Sequence, residues 1–82
     1  MASNASLRPK DIIAASLEKP IIVKLKGAKM VRGNLMSFDQ HLNLFLSNAG
    51  EMKEDGSFKK LGNIIVRGDN VILLIFPSDT GD

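Results

Sequence analysis

Two stretches decide this fold. They are Gly33-Asn34-Leu35-Met36-Ser37-Phe38-Asp39-Gln40-His41-Leu42-Asn43-Leu44 and, further along, Ile64-Ile65-Val66-Arg67-Gly68-Asp69-Asn70-Val71. In each, a compact polar cluster separates two runs of β-forming apolar residues, the pattern of a turn between strands. Gly33 lies inside the first run. A glycine within a strand marks a bulge, a tight bend or the close approach of another backbone, so the strand here is expected to let the sheet curve strongly.

The flanking sequence extends the same pattern. Ile21, Val23 and Leu25 alternate with lysines along a first strand, and Gly27-Ala28 turns the chain. Residues 29–38 form the second strand. Leu42, Leu44 and Leu46 alternate along a third. Residues 48–57 read as a polar hairpin connection with Asp55-Gly56 as its turn dipeptide. Residues 58–67 form the fourth strand. After Gly68-Asp69-Asn70, residues 71–76 form a fifth, apolar on both faces and therefore expected to be covered on both. Upstream, Pro9 suits a helix start and Pro20 a helix stop. Ile12, Ile13, Ser16 and Leu17 share one face of the short helix between them. Residues 1–8 and 78–82 are expected to be disordered, leaving one domain over residues 9–77. A short N-terminal helix followed by five antiparallel strands makes a mainly β fold, a small bent sheet or partly open barrel. More than one such barrel fits.

Composition bounds what this domain can do. With 82 residues the chain buries only about 60% of its unfolded surface, and such small domains often gain stability by joining copies of themselves. Cysteine is absent, which excludes disulfides and thiolate metal sites, and a single histidine cannot build a histidine-rich one. No cofactor is expected. Residues 71–76 are the longest apolar run, too short to cross a bilayer, and the N-terminus lacks the apolar core of a signal peptide. A soluble, intracellular (cytoplasmic) protein with no membrane partner is expected. Residues 1–36 carry seven Lys/Arg against two acids, whereas residues 37–82 carry four against seven. The basic half can meet phosphates, but on charge alone a solvated surface is the better explanation.

The two polar clusters carry the chemistry. The His41 ring and the Arg67 guanidinium are both planar and can each stack a nucleobase. Such stacking is worth roughly 1–3 kcal/mol per base. The Asn43 amide can answer both the N3–H and the carbonyl of uracil, and Gly68 lets backbone come close. Single-stranded RNA is the partner these groups fit. Other readings are weaker. Ser37, Asp39 and His41 are triad residue types, but nothing positions the serine as a nucleophile. Carboxylates for a catalytic metal are not clustered, so no enzyme is expected. Arg67-Gly68-Asp69 spells an adhesion tripeptide in a chain without a secretion signal.

Both blocks resemble the Sm and Sm-like (LSm) proteins, in their archaeal form. The first matches the family's first signature: a strand with an internal glycine, then Phe38-Asp39, two residues, and Leu42-Asn43. The second, from Ile65 to Val71, matches its second signature. The likeness runs from about Ile12 to Phe76. It implies a helix on a strongly bent, five-stranded, SH3-like small barrel. It also implies a homo-oligomeric ring, usually a heptamer, in which the fourth strand of one copy pairs with the fifth of the next. Oligouridine would bind around the pore. By motif position, His41 and Arg67 would stack on either face of a base and Asn43 would bond its edge. Asp39 would support Asn43, and the Gly68-Asp69 backbone would complete the pocket. The implied role is an RNA chaperone or scaffold in RNA processing, with RNA-processing proteins as further candidate partners. A protein-interaction ring with an unused RNA pocket is the alternative.

Overall fold

A computed structural model describes residues 8–76, so the expectations for residues 1–7 and 77–82 lie outside the described residues. Helix α1 (Pro9–Ala15) is followed by β1 (Pro20–Leu25), β2 (Lys29–Phe38), β3 (Leu44–Met52), β4 (Phe58–Val66) and β5 (Val71–Ile75). One turn of 3-10 helix, Gly68–Asn70, joins the last two strands. All strand pairs are antiparallel. The sheet order is β4-β3-β2-β1-β5, so the two strands consecutive at the C-terminal end lie on opposite edges.

That order forces the sheet to curl. Laid flat, five strands would separate the edges by about 19 Å at the usual strand spacing. Residues 67–70 reach at most about 17 Å when fully extended, and a 3-10 turn shortens them further. The edges must therefore bend toward each other, and the irregularities in register allow it. The β2–β3 ladder shifts between Arg32 and Asn34 and again between Leu35 and Ser37. The β3–β4 ladder shifts on either side of Ala49. Gly33 sits at the first of these shifts. A Cβ there would stand 3.0 Å from the Ala49 Cβ and 3.1 Å from the Leu46 Cβ. The expected mid-strand glycine is thus a close approach of two strands on the inside of the bend.

The concave face holds the core: Ile21, Val23, Leu35, Leu44, Leu46 and Ala49 are fully buried, with Val31, Val66 and Ile13 beside them. Helix α1 lies over this core. The Arg8 backbone N–H and Nε both donate to the Asp11 carboxylate, so an acidic residue in the first turn reaches back to the helix entrance. At the far end, Glu18 turns with a positive φ of 68° and its N–H donates to the Leu35 carbonyl, tying the connection to β2.

Several expectations need correction. The helix ends at Ala15, and only Ile13 and Ser16 of its apolar face are buried. Ile12 and Leu17 remain exposed, because seven residues give too few turns for the stripe to continue. Leu42 is not in a strand: it turns with φ 64° ahead of β3. The third strand is longer than expected and runs on to Met52. Asn48, at φ 50°, absorbs the bulge that the polar composition suggested was a loop, and the turn shrinks to residues 53–57. There Asp55 accepts from the Ser57 N–H and hydroxyl, and Gly56 has φ 90°. Finally, β5 is not covered by the described residues: Ile72, Leu73 and Ile75 are exposed, because β5 is a sheet edge.

Gly33→Val is expected to lower stability by about 1–3 kcal/mol, since the added carbons must displace Ala49 or Leu46 in a packed bend. At fixed protein concentration this should appear as a lower urea midpoint with an unchanged slope. An unchanged midpoint would show that the two strands have room to separate.

Candidate functional site

The topology brings the two motifs together. Strand β3 pairs antiparallel with both β2 and β4, so the end of β2, the start of β3 and the end of β4 share one side of the sheet. The pairs Phe38↔Leu44 and Leu44↔Val66 fix this alignment. The loop of residues 39–43 therefore lies beside the turn of residues 67–70.

Asp39 builds the first loop. One carboxylate oxygen accepts from the backbone N–H groups of His41 (2.9 Å) and Asn43 (3.0 Å). The other accepts from the Asn43 side-chain amide at 3.0 Å. Short polar side chains favour turns in this way, by bonding nearby backbone. Asp39 thus acts both as a turn residue and as the support of Asn43. The Asn43 amide holds its carboxyl below the ordinary value of 3.8, and the backbone N–H groups of Asn43 and His41 act in the same sense.

Gly68 joins the second motif to the first. Its N–H donates to the Asn43 Oδ1 at 2.8 Å, across 25 residues of sequence. A Cβ at Gly68 would overlap the His41 carbonyl oxygen, so no other residue lets the two backbones come this close. The Asn70 carbonyl accepts from the Lys26 N–H, which anchors the turn on its other side.

The Asn43 amide is consequently fixed from both ends. A carboxylate only accepts and a backbone N–H only donates, so this pair of partners permits a single amide orientation. One amide hydrogen and one oxygen lone pair remain free. Around them, His41, Asn43, Arg67, Gly68 and Asp69 line an open cleft of about 480 Å³. His41 is exposed. The Arg67 guanidinium lies 3.4 Å from the Asp69 carboxylate, with side chains 75% and 65% exposed. Such a pair contributes little stability, but it restrains the guanidinium plane at the rim. The cleft therefore offers two flat cationic or ionisable groups and, between two backbones, one donor beside one acceptor.

All six residues singled out from the sequence meet here, five as lining and Asp39 beneath Asn43. Two features escaped sequence reading: the Gly68 N–H as a second partner of Asn43, and the Asp69 side chain paired with Arg67. The glycine signalled a close approach, but not the backbone it would approach.

The LSM domain model matches residues 11–76. The chain belongs to the LSM family. An Sm-like protein of Methanosarcina barkeri is 48% identical over 65 residues, covering 79% of this chain and 90% of the relative. One from Archaeoglobus fulgidus is 39% identical over 75 residues, covering 92% and 96%. Among solved LSM structures, the P. aerophilum SmAP1 heptamer superposes with TM-score 0.81 at 37% identity, covering 85% of this chain and 93% of that one. The Pyrococcus abyssii Sm protein in complex with a uridine heptamer gives TM-score 0.81 at 38% identity, covering 87% and 100%. The expected family and its fold of one helix on a bent five-stranded sheet are both found.

The Asp39 bonds set a pH dependence. A carboxyl whose pKa is lowered on folding stabilises the fold above its unfolded value and loses that contribution as pH falls through the folded one. The Asn43 side-chain amide resonances should therefore report the Asp39 titration as an acid transition lying below the ordinary carboxylate value. The absence of any acid transition in these resonances would show that Asp39 does not hold the amide.

Proposed function

We propose that this chain forms a homo-oligomeric ring, a heptamer, that holds U-rich single-stranded RNA at its pore. It would act there as an RNA chaperone or scaffold in RNA processing inside the cell, and perform no chemistry itself. The observation that carries the RNA reading is the doubly fixed Asn43 amide, whose free donor and acceptor lie in a cleft flanked by His41 and Arg67. Uracil offers an N3–H and a carbonyl in that arrangement. His41 and Arg67 stack on the two faces of the base, Asn43 reads its edge, and Asp39 and Gly68 hold Asn43. Asp69 restrains Arg67. The heptameric relative and the one in complex with a uridine heptamer support the same reading. Among the described residues no helix is long and apolar enough to cross a membrane.

The ring reading rests on the two free edges. Strand β4 exposes Leu61 and Ile65, the latter 73% accessible, and β5 exposes Ile72, Leu73 and Ile75. Unpaired apolar edges are a liability in an isolated small domain. A head-to-tail contact of one copy's β4 with the next copy's β5 satisfies both and closes by rotation into a ring. Burying Ile65 alone would contribute roughly 1.5–3 kcal/mol.

Native mass spectrometry should give a heptamer. A monomer at micromolar concentration would end the ring reading.

Fluorescence anisotropy with oligo-U, oligo-C and oligo-A tests the pocket. Arg67→Lys keeps the charge but loses the stacking plane, so its loss should approach that of Arg67→Ala. His41→Ala should cost roughly 1–3 kcal/mol per occupied site. Wild-type affinity in both Arg67 variants would remove Arg67 from the site.

Asp39→Asn should lower the U/C ratio. A flipped amide would suit cytosine, whose N3 accepts and whose N4 donates. The Gly68 N–H still opposes the flip, so the preference should shrink without reversing. An unchanged ratio in an intact ring would show that Asp39 does not set base choice.

A further inference from the structure

The sheet face opposite the core carries a second arrangement of flat and cationic groups. It lies at the far end of β3 from the cleft. The cross-strand rows Lys24↔Met30↔Met52↔Phe58 and Ile22↔Arg32↔Gly50↔Lys60 place their side chains on this one face. The Phe58 ring covers the Gly50 backbone so closely that a Cβ on Gly50 would overlap it. The Arg32 guanidinium carbon lies 5.9 Å from the ring centroid. Yet Phe58 remains 50% exposed, and Lys24, Arg32 and Lys60 are exposed around it. Glu51, the one carboxylate within the five strands, alternates onto the opposite face and pairs with Lys53 at 3.8 Å. Among the described strand residues no carboxylate shares this face, and its charged strand side chains are cationic.

We infer that this face is a second contact for single-stranded RNA, with a base stacked on the Arg32–Phe58 pair and Lys60 and Lys24 taking up phosphate charge. Every base has a π-face, so an aromatic ring beside cations binds single strands with little sequence preference. The cationic strand side chains favour a polyanion, and the half-exposed Phe58 ring beside Arg32, on which a base can stack, favours RNA over an acidic peptide. The site stays open in a ring. Strand β5 is five residues long and β4 nine, so a neighbour's β5 aligned on the apolar half of β4 leaves Phe58 and Lys60 clear. Six residue steps along β3 lead from Leu44, at the cleft, to Gly50, which puts the two contacts at most about 20 Å apart. RNA confined to the pore would not reach the face, whereas a longer strand leaving the pore would.

The inference extends the RNA reading above, and two RNAs separate their fates. Anisotropy is measured on the assembled ring with heptauridine and with a single-stranded RNA several times longer. Phe58→Leu keeps Gly50 covered but removes the ring, and Arg32→Gln removes the cation. Each should weaken the longer RNA by at least about fivefold and leave heptauridine unchanged, while Phe58→Tyr should bind like wild type. Lys60→Gln should reduce the salt slope for the longer RNA by about one. Equal weakening of both RNAs would mean that the variants act on the fold, and would overturn the site. Unchanged binding of the longer RNA would overturn it too and leave the face to a protein partner. Loss confined to the longer RNA in a protein that fails to bind heptauridine would sustain this contact and refute the pore pocket.

Discussion

The short link between β4 and β5 is the constraint on which the rest depends. Those strands are neighbours in sequence and opposite edges in the sheet, and residues 67–70 must join them. A flat sheet cannot satisfy that link, so the sheet curls, and Gly33 supplies the strand contact that curling needs. The same curl creates the concave core from Ile21, Val23, Leu35, Leu44 and Leu46, and leaves two apolar edges with no partner among the described residues. Because the link must be short, its residues are also forced against the β2–β3 loop. The geometry that closes the fold is thus the geometry that assembles the cleft.

Within the cleft, backbone does as much as side chains. Asp39 orders its own loop by accepting two main-chain N–H groups, and uses its second oxygen on Asn43. Gly68 contributes no side chain, yet it fixes the other end of the same amide. An amide held at one end can rotate into the flipped state at the cost of about one hydrogen bond. Held by an acceptor at one end and a donor at the other, it must break both and confront like with like. On the proposed reading, discrimination between uracil and cytosine would be a property of the junction between two loops, sensitive to anything that separates them, including a methyl group on Gly68.

Much of this was legible in the sequence, for identifiable reasons. Strand periodicity in residues 21–25, the glycine at 33 and the turn cluster at 68–70 are local signals, and each carries its meaning within a few residues. The six cleft residues fall in two such clusters, so their types and order could be read directly. What could not be read was non-local or cooperative. The continuation of β3 through Asn48 and Glu51 defeats its polar composition because pairing with β2 and β4 outweighs weak strand propensity. The helix stops early because tertiary contacts, here the Glu18–Leu35 hydrogen bond, take over from the apolar stripe. The Gly68–Asn43 bond spans 25 residues, and no local pattern announces its partner. The exposure of β5 is a further case. An all-apolar strand signals coverage, and in the proposed ring that cover would come from another copy.

That last point joins the fold to the function proposed for it. A cleft with one amide edge and two stacking planes, open to solvent, gives a single base little more than a few kcal/mol. Set against the loss of freedom on association, one such site binds weakly. Repetition changes the arithmetic. Once one base of a strand is held, its neighbours reach adjacent clefts at high effective concentration, and affinity multiplies without any new kind of contact. The exposed residues Ile65, Ile72 and Leu73 would supply that repetition. On this reading the apolar edges and the polar cleft are two halves of one design: the edges make copies of a site too weak to act alone. The curl imposed by residues 67–70 lets each copy present that site on the same side as its neighbours.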